Sequence, residues 1–357
     1  YMARLILSDI SGLTPNHTTQ QQTAKIIFGD DPRPQDKFVY TDLSEMFPGY
    51  SYDPMRTPKS LYKDEEPSEG GYVYAQPGMW RNVALLDVQS MHPTSLINMN
   101  AFGPYTEKFK QLLDARLAIK HKEYDLAKQM LSGALAPYLG SIDAAKDLAC
   151  ACKTVINIVY GLTSASFENK FLDPRNKDNI VAKRGALFMI DLKHAVEEQG
   201  FEVVHIKTDS IKVADATPKI IEFVNQFGAK YGYSFEHEAT YEKMCLVNDA
   251  VYIAKYGWAE DERDVGTWTA TGAQFAHPYI FKKLFSHETL TFADLCETKE
   301  VKTAIYLDFN EGLEKGEHNY IHVGRVGSFV PMIEGIGAGA LLRIKDDKYY
   351  AVTRTKG

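Results

Sequence analysis

Residues 83–88, Val-Ala-Leu-Leu-Asp-Val, form a short apolar run that ends on a carboxylate, the pattern of a buried strand. Ahead of it the chain carries turn formers and charge, as in Asp30-Asp31-Pro32-Arg33-Pro34 and Asp64-Glu65-Glu66-Pro67, so residues 1–69 read as an irregular lead-in. Residues 107–131 contain helix formers and no Gly or Pro, with Pro104 just before the start, and predict a helix. A second helix is expected from Ser141, an N-cap residue, through Tyr160 to a stop at Gly161. The linker of about ten residues between them is short enough for an antiparallel pair. A third helix is expected over residues 185–198, ending at Gly200. Then Phe201–Ile206 and Ile211–Val213, β-rich and apolar, flank a polar centre and predict a hairpin with Asp209 at its tip. A helix over 218–231 and a strand over 247–254 follow. Beyond about residue 300, β-like runs alternate with glycine turns such as Gly335-Ile336-Gly337-Ala338-Gly339, which predicts a small β-rich unit. The pattern is α+β.

A chain of 357 residues with 45% apolar content has room for two or three structural units. No run of about 18 apolar residues suggests a membrane span, and Tyr1-Met2-Ala3-Arg4 does not begin a secretory signal. A cytoplasmic fragment of a longer protein is expected. Cysteines at 150, 152, 245 and 296 make neither a dense disulfide framework nor a C-x-x-C pair, which fits a reducing compartment. The formal charge of −7 weighs against a nucleic-acid partner. Binding depends on local placement, however, and cations concentrate in the two long helices and at Lys170, Arg175, Lys177, Lys183 and Arg184.

Alone, Asp87 reads as a cap for the next helix and Asp209 as ordinary turn chemistry. Together, two carboxylates at the ends of adjacent strands can hold two divalent cations by oxygen ligation, with substrate phosphates completing the shell. That chemistry is phosphoryl or nucleotidyl transfer, which also needs cations for a triphosphate. Arg116 and Lys120 stand four apart on one helical face, although interleaved acids make a solvated face the plainer reading. Lys153, Asn157 and Tyr160 share a stripe on the second helix among apolar neighbours, where a lysine calls for an anionic partner.

These residues resemble the family B DNA polymerases of the kind found in tailed bacteriophages. Asp87-Val88-Gln89-Ser90-Met91-His92-Pro93-Thr94 resembles that family's motif A, D-x-x-S-L-Y-P-S. Lys153-Thr154-Val155-Ile156-Asn157-Ile158-Val159-Tyr160-Gly161 resembles motif B, K-x-x-x-N-S-x-Y-G, and His205-Ile206-Lys207-Thr208-Asp209-Ser210 resembles motif C, Y-G-D-T-D-S. The three occur in the family's order, and the resemblance covers about residues 70–260.

The resemblance implies a right-hand architecture: a connector over 1–69, a palm sheet with the carboxylates over 70–105 and 162–260, antiparallel helical fingers over 106–161, and a thumb-like, β-rich part over 261–357. It implies template-directed addition of deoxynucleoside triphosphates to the 3′-hydroxyl of a primer–template, with two Mg²⁺ (Mn²⁺ as substitute) on Asp87, Asp209 and the Val88 carbonyl. Ser90, Met91 and His92 would receive the triphosphate through their backbone. Arg116, Lys120 and Lys153 would grip its oxygens, Lys153 also donating a proton to pyrophosphate. Asn157 and Tyr160 would line the nascent base pair, while Gly70, Gly71, Gly161, Lys207, Thr208 and Tyr252 would face DNA. Replication accessory proteins are implied partners, in the bacterial host cytoplasm if the chain is of phage origin.

The departures from the pattern sharpen the expectations. His92 stands for the family's sugar-excluding Tyr, so ribonucleotides should be rejected less well. Lys207 replaces the first acid of motif C and is expected to contact primer or offset charge. The Lys of the family's K-x-Y element is missing at Asn248–Tyr252, leaving Lys255 as a candidate substitute. Two other readings stand beside the polymerase: a catalytically silent primer–template-binding homologue, and a ribonucleotide-tolerant primase or polymerase.

Overall fold

The computed structural model describes residues 2–272, 275, 278–308, 314–331, 339–345, 348–352 and 355–356. His277 and residues 335–338 of the glycine run lie outside them. The chain is α+β. Its principal helices are α1 (Met2–Ser11), α2 (Thr19–Phe28), α3 (Met91–Asn98), α4 (Thr106–Lys120), α5 (Ile142–Thr163), α6 (Ile180–Glu198) and α7 (Pro218–Lys230). The first sheet contains β1 (Val73–Ala75), β2 (Gly78–Val88), β3 (Val203–Lys207), β4 (Ser210–Val213), β5 (Phe235–Asn248), β6 (Val251–Ala259) and β7 (Trp268–Thr271).

These seven strands lie in the order β1-β3-β4-β2-β5-β6-β7, every pair antiparallel. Only Gln76 and Pro77 join edge strand β1 to central strand β2, so the sheet curls strongly. A small core of Val83, Val204, Tyr241, Met244 and Leu246 sits at the curl. The larger core lies between the sheet and the helices, with α6 at its centre. Residues 180–193 of α6 are all buried, including Leu187, Phe188, Ile190 and Leu192 at 0% exposure. Each such side chain contributes about 1.5–3 kcal/mol of transfer free energy.

The irregular lead-in expected over residues 1–69 is corrected. Its first 28 residues hold α1 and α2, whose Ile6, Leu7, Ile27 and Phe28 join the main core and which pack against α5. A capping box opens α2: the Gln21 N–H donates to Thr18 Oγ1 and the Thr18 N–H to Gln21 Oε1. Residues 62–72 are strapped to α6, where buried Asp191 accepts from Tyr62 Oη (2.8 Å) and Lys63 Nζ (2.6 Å), and Glu65 pairs with Lys193.

The long helix expected to residue 131 ends at Lys120. Lys122 takes a left-handed φ of 64°, the Glu123 N–H reaches the Ala118 carbonyl and the Lys122 N–H the Ile119 carbonyl, a Schellman stop. A lysine fills the position that usually signals this stop with glycine. Helix α5 starts at Ser141, whose Oγ accepts from the Ala144 N–H (3.2 Å), but it runs past Gly161 because Leu162 and Thr163 bury in its last turn. The strand expected over 247–254 is broken by a turn at Asp249–Ala250, with 247–248 ending β5 and 251–254 beginning β6.

Beyond residue 296, β8 (Glu297–Asp308), β9 (Tyr320–Pro331), β10 (Gly339–Lys345), β11 (Lys348–Val352) and β12 (Thr355–Lys356) form a second antiparallel sheet in the order β11-β10-β9-β8-β12. No helix among the described residues is long and apolar enough to cross a membrane.

Candidate active site

Strand β2 carries Asp87 to the sheet's open end, and the β3–β4 hairpin brings Asp209 beside it. Asp87 is the register partner of Ser210 on one side and of Glu236 on the other. The Val88 N–H donates to the Asp209 carbonyl at 2.8 Å, which ties the two segments directly. Asp209 sits at the tip because Thr208 takes φ 57° and the Asp209 N–H closes back on the Lys207 carbonyl (2.8 Å). A β-branched residue in that region is strained, and such strain concentrates where a side chain must be aimed.

The turn rests on the segment ahead of β1. The Thr208 N–H donates to the Tyr72 carbonyl (2.9 Å), and Gly71, at φ 151°, faces Thr208 so closely that an added Cβ would lie 3.0 Å from its Cγ2. Among the described residues, nothing lies within 4 Å of a Cβ added at Gly70. Lys207 stands exposed at the end of β3.

Carboxylates crowd this end of the sheet. Burial, then the charges of Asp209, Glu238 and Glu236, push the Asp87 carboxyl up to about 7. An acid raised in the folded protein contributes stability below its ordinary pKa and loses it as pH climbs through the folded value. Asp87 therefore contributes a falling slope to the melting temperature of metal-free protein as pH rises from about 4 to about 7, read as the difference between wild type and Asp87→Asn because His205, pushed down to about 4, contributes a rise over the same range. Asp87→Asn should flatten that slope, and Mg²⁺ should reverse it by favouring the ionised form; scanning fluorimetry across pH, with and without Mg²⁺, measures both.

Among the described residues, no three His, Cys, Asp or Glu side chains form a ready-made metal cage. Two partly buried carboxylates suit Mg²⁺, which keeps waters and shares its shell with substrate phosphates. The donor set and its crowded charge therefore fit that ion.

Two further contacts bring candidates from α4 and α5 to the start of α3. Arg116 on α4 donates from Nη1 to Ser90 Oγ (3.2 Å) at the start of α3. His92 on α3 stacks flat on Tyr160 of α5, with ring centroids 4.1 Å apart and planes 8° from parallel. Burial lowers the His92 pKa, and its Nδ1 is buried without a hydrogen-bond partner among the described residues. Lys153, Asn157 and Gly161 are exposed on α5. The Met91 side chain is buried against Gly185, leaving only its backbone for a ligand. Tyr252 lies on β6, half-buried.

Lys120 is already engaged. Its Nζ bonds both oxygens of Glu236, at 2.8 and 2.9 Å, and Gln89 Nε2 donates to the same carboxylate (2.8 Å). Sequence reading missed Glu236 and Glu238, although the alternation Phe235-x-His237-x-Ala239-x-Tyr241 carries the signal of β5.

Much of the expected cation cluster is structural. Lys183 and Arg184 are 1% and 4% exposed and bond the carbonyls of Ser68 (3.0 Å) and Tyr231 (2.7 Å). Lys170 bonds the Asp31 carbonyl, and Arg175 bonds Asp173 and the Phe38 carbonyl. Lys255 pairs with Glu242 (3.1 Å). Cys152 is buried in α5, whereas Cys150 is exposed.

No family model and no curated protein matches the chain. Among solved structures, it is similar to the family B DNA polymerase from the hyperthermophilic archaeon Pyrobaculum calidifontis, at 14% identity and a TM-score of 0.46 over 95% of this chain. The chain spans half the length of that polymerase.

Proposed function

We propose that this protein is a template-directed DNA polymerase, with the first sheet as palm, α4 and α5 as fingers, and the C-terminal sheet in the thumb-like part. The observation that carries the reading is the meeting of three distant segments around Asp87. Asp209 is bonded to Val88, Arg116 to Ser90, and Tyr160 is stacked on His92. The first and third of these contacts each join two of the segments singled out by motif, and the second brings the helix of Arg116 to the first of those segments.

Two Mg²⁺ held by Asp87, Asp209 and the Val88 carbonyl would supply a lowered pKa at the primer 3′-hydroxyl and charge neutralisation at the departing pyrophosphate. The chain's own groups do the rest. The N–H groups opening α3 at Ser90, Met91 and His92 receive phosphate oxygens, as helix N-termini do. Arg116 adds a guanidinium beside them, and Lys153 Nζ donates a proton to the leaving pyrophosphate. The His92–Tyr160 stack lies under the sugar and base of the incoming nucleotide, and Asn157 and Gly161 face the template side. Lys207, exposed beside Asp209, offers a charge to the primer backbone. Primer extension with Mg²⁺ and deoxynucleotides tests the reading: elongation supports the enzyme, and binding of primer–template without elongation supports the silent homologue.

Glu236 adds a competitor. A triphosphate reaching Lys120 must displace a carboxylate that already holds it. Glu236→Gln should therefore lower the KM for deoxynucleotide about two- to fivefold, the scale of a partly exposed ion pair. Steady-state titration of nucleotide at saturating DNA measures it; an unchanged or raised KM sinks the idea.

A further inference from the structure

His205 and Lys212 face each other across β3 and β4, both buried, at 1% and 3% exposure. Neither is used by the chemistry above. Lys212 partners Leu85 on β2, while Asp87 partners Ser210 two residues earlier, so Lys212 lies on the face of Asp87 one diagonal step away. Lys212 Nζ is 3.1 Å from His205 Nδ1, and His205 Nε2 is 3.0 Å from the Asp249 carbonyl at the β5–β6 turn. A carbonyl only accepts, so Nε2 carries the proton. Burial, then the Lys212 charge, pushes the imidazole down to about 4, so the ring is neutral and Nδ1 accepts from the ammonium. The Tyr252 ring covers that ammonium at 5.1 Å.

The sheet order makes these contacts informative. Strand β6 is three places from β4, about 14 Å across a flat sheet. The end of the β5–β6 hairpin therefore bends back over the face that carries the carboxylates, and the His205–Lys212 pair is what it lands on. A lysine that buries its charge against a histidine and a tyrosine, with no carboxylate among the described residues hydrogen-bonded to it, is a costly choice for packing alone.

We propose that His205 and Lys212 are positioning residues: a latch that holds the 248–252 turn over the carboxylate face, so that the turn forms a fixed wall for the strand whose end reaches Asp87 and Asp209. This rests on the polymerase reading for the identity of that strand, the primer. The latch transmits position through one hydrogen bond and one covering ring, and it touches no reacting atom.

The test compares His205→Phe, which keeps a ring and loses both polar contacts, with His205→Gln, whose amide can donate to the Asp249 carbonyl and accept from Lys212. In primer extension, His205→Phe should raise the KM for primer–template about tenfold while the KM for deoxynucleotide stays within about twofold, and His205→Gln should recover wild-type behaviour to within about twofold. A KM for primer–template unchanged in His205→Phe, or equal shifts in both KM values without rescue by Gln, would overturn the latch. Should the Phe variant not fold, Asn248→Ala loosens the turn from its exposed side, where Asn248 Oδ1 accepts from the Ala250 N–H (2.9 Å). It should raise the primer–template KM in the same direction, and no change there would count against the latch. Amide hydrogen exchange at residues 249–252 needs no DNA and separates the two ideas. Faster exchange in the Phe variant supports the latch even if wild type elongates nothing, and unchanged exchange overturns it even if wild type is an active polymerase.

Discussion

Asp209→Asn is expected to remove primer extension, by at least about a thousandfold at saturating Mg²⁺, because several kcal/mol of charge stabilisation depend on that carboxylate and each 1.36 kcal/mol is a factor of ten. Primer–template affinity should stay within about threefold, since a strand binds mainly through phosphate contacts to cations elsewhere. The substitution is nearly isosteric. The contacts that aim residue 209, its carbonyl to Val88 and its N–H to Lys207, belong to the backbone and survive. Removing the charge also relieves Asp87, whose raised pKa owes part of its shift to Asp209. The metal-free variant should thus melt no lower than wild type above pH 7, which distinguishes lost chemistry from lost fold. Extension that persists in Asp209→Asn would remove the two-carboxylate mechanism, and extension lost together with a collapsed melting temperature would move Asp209 to a structural role.

His92→Tyr is expected to sharpen discrimination against ribonucleotides by about tenfold or more, the scale at which a filled or unfilled pocket discriminates small groups. The imidazole lies flat on Tyr160 at 4.1 Å, so a tyrosine ring at 92 can keep the stack and extend its hydroxyl beyond the present ring edge. That edge is where a 2′-hydroxyl would meet the protein in the proposed pocket. Wild type should still prefer deoxynucleotides, because the stacked pair already walls the site. Single-nucleotide incorporation with each sugar, compared as ratios of kcat/KM, gives the number. Equal or better ribonucleotide rejection by wild type would contradict the assignment of residue 92 to the sugar.

Legibility in the sequence followed the strength of local signals. Strand β2, the 203–213 hairpin and α7 were readable because apolar runs were bounded by turn formers or Pro218. The start of α5 was readable from Ser141. Helix α2 has a readable sign in the Thr18-x-x-Gln21 box, but the proline-rich stretch just after it carries the stronger local signal, that of a turn. The end of α4 had no sign, since Lys122 fills the left-handed position of its Schellman stop, where the usual glycine is missing. Burial of Lys183 and Arg184 was invisible for the same reason: their partners are backbone carbonyls of distant segments. Within the site, Asp87 and Asp209 could be named from sequence. Glu236, Lys212 and His205 could not be given roles, because those depend on strand order and on how the sheet curls.

The docking of α1 and α2 against α5 sets an order of events during synthesis. Their apolar faces, with Leu7, Ile27 and Phe28, leave the ribosome more than a hundred residues before α5 is complete at Thr163. At about 5–20 residues per second they wait on the order of ten seconds without their partner. Those apolar faces are therefore open to a chaperone during that interval, and slower translation between residues 28 and 163 is expected to lower soluble yield without altering a single contact of the finished protein.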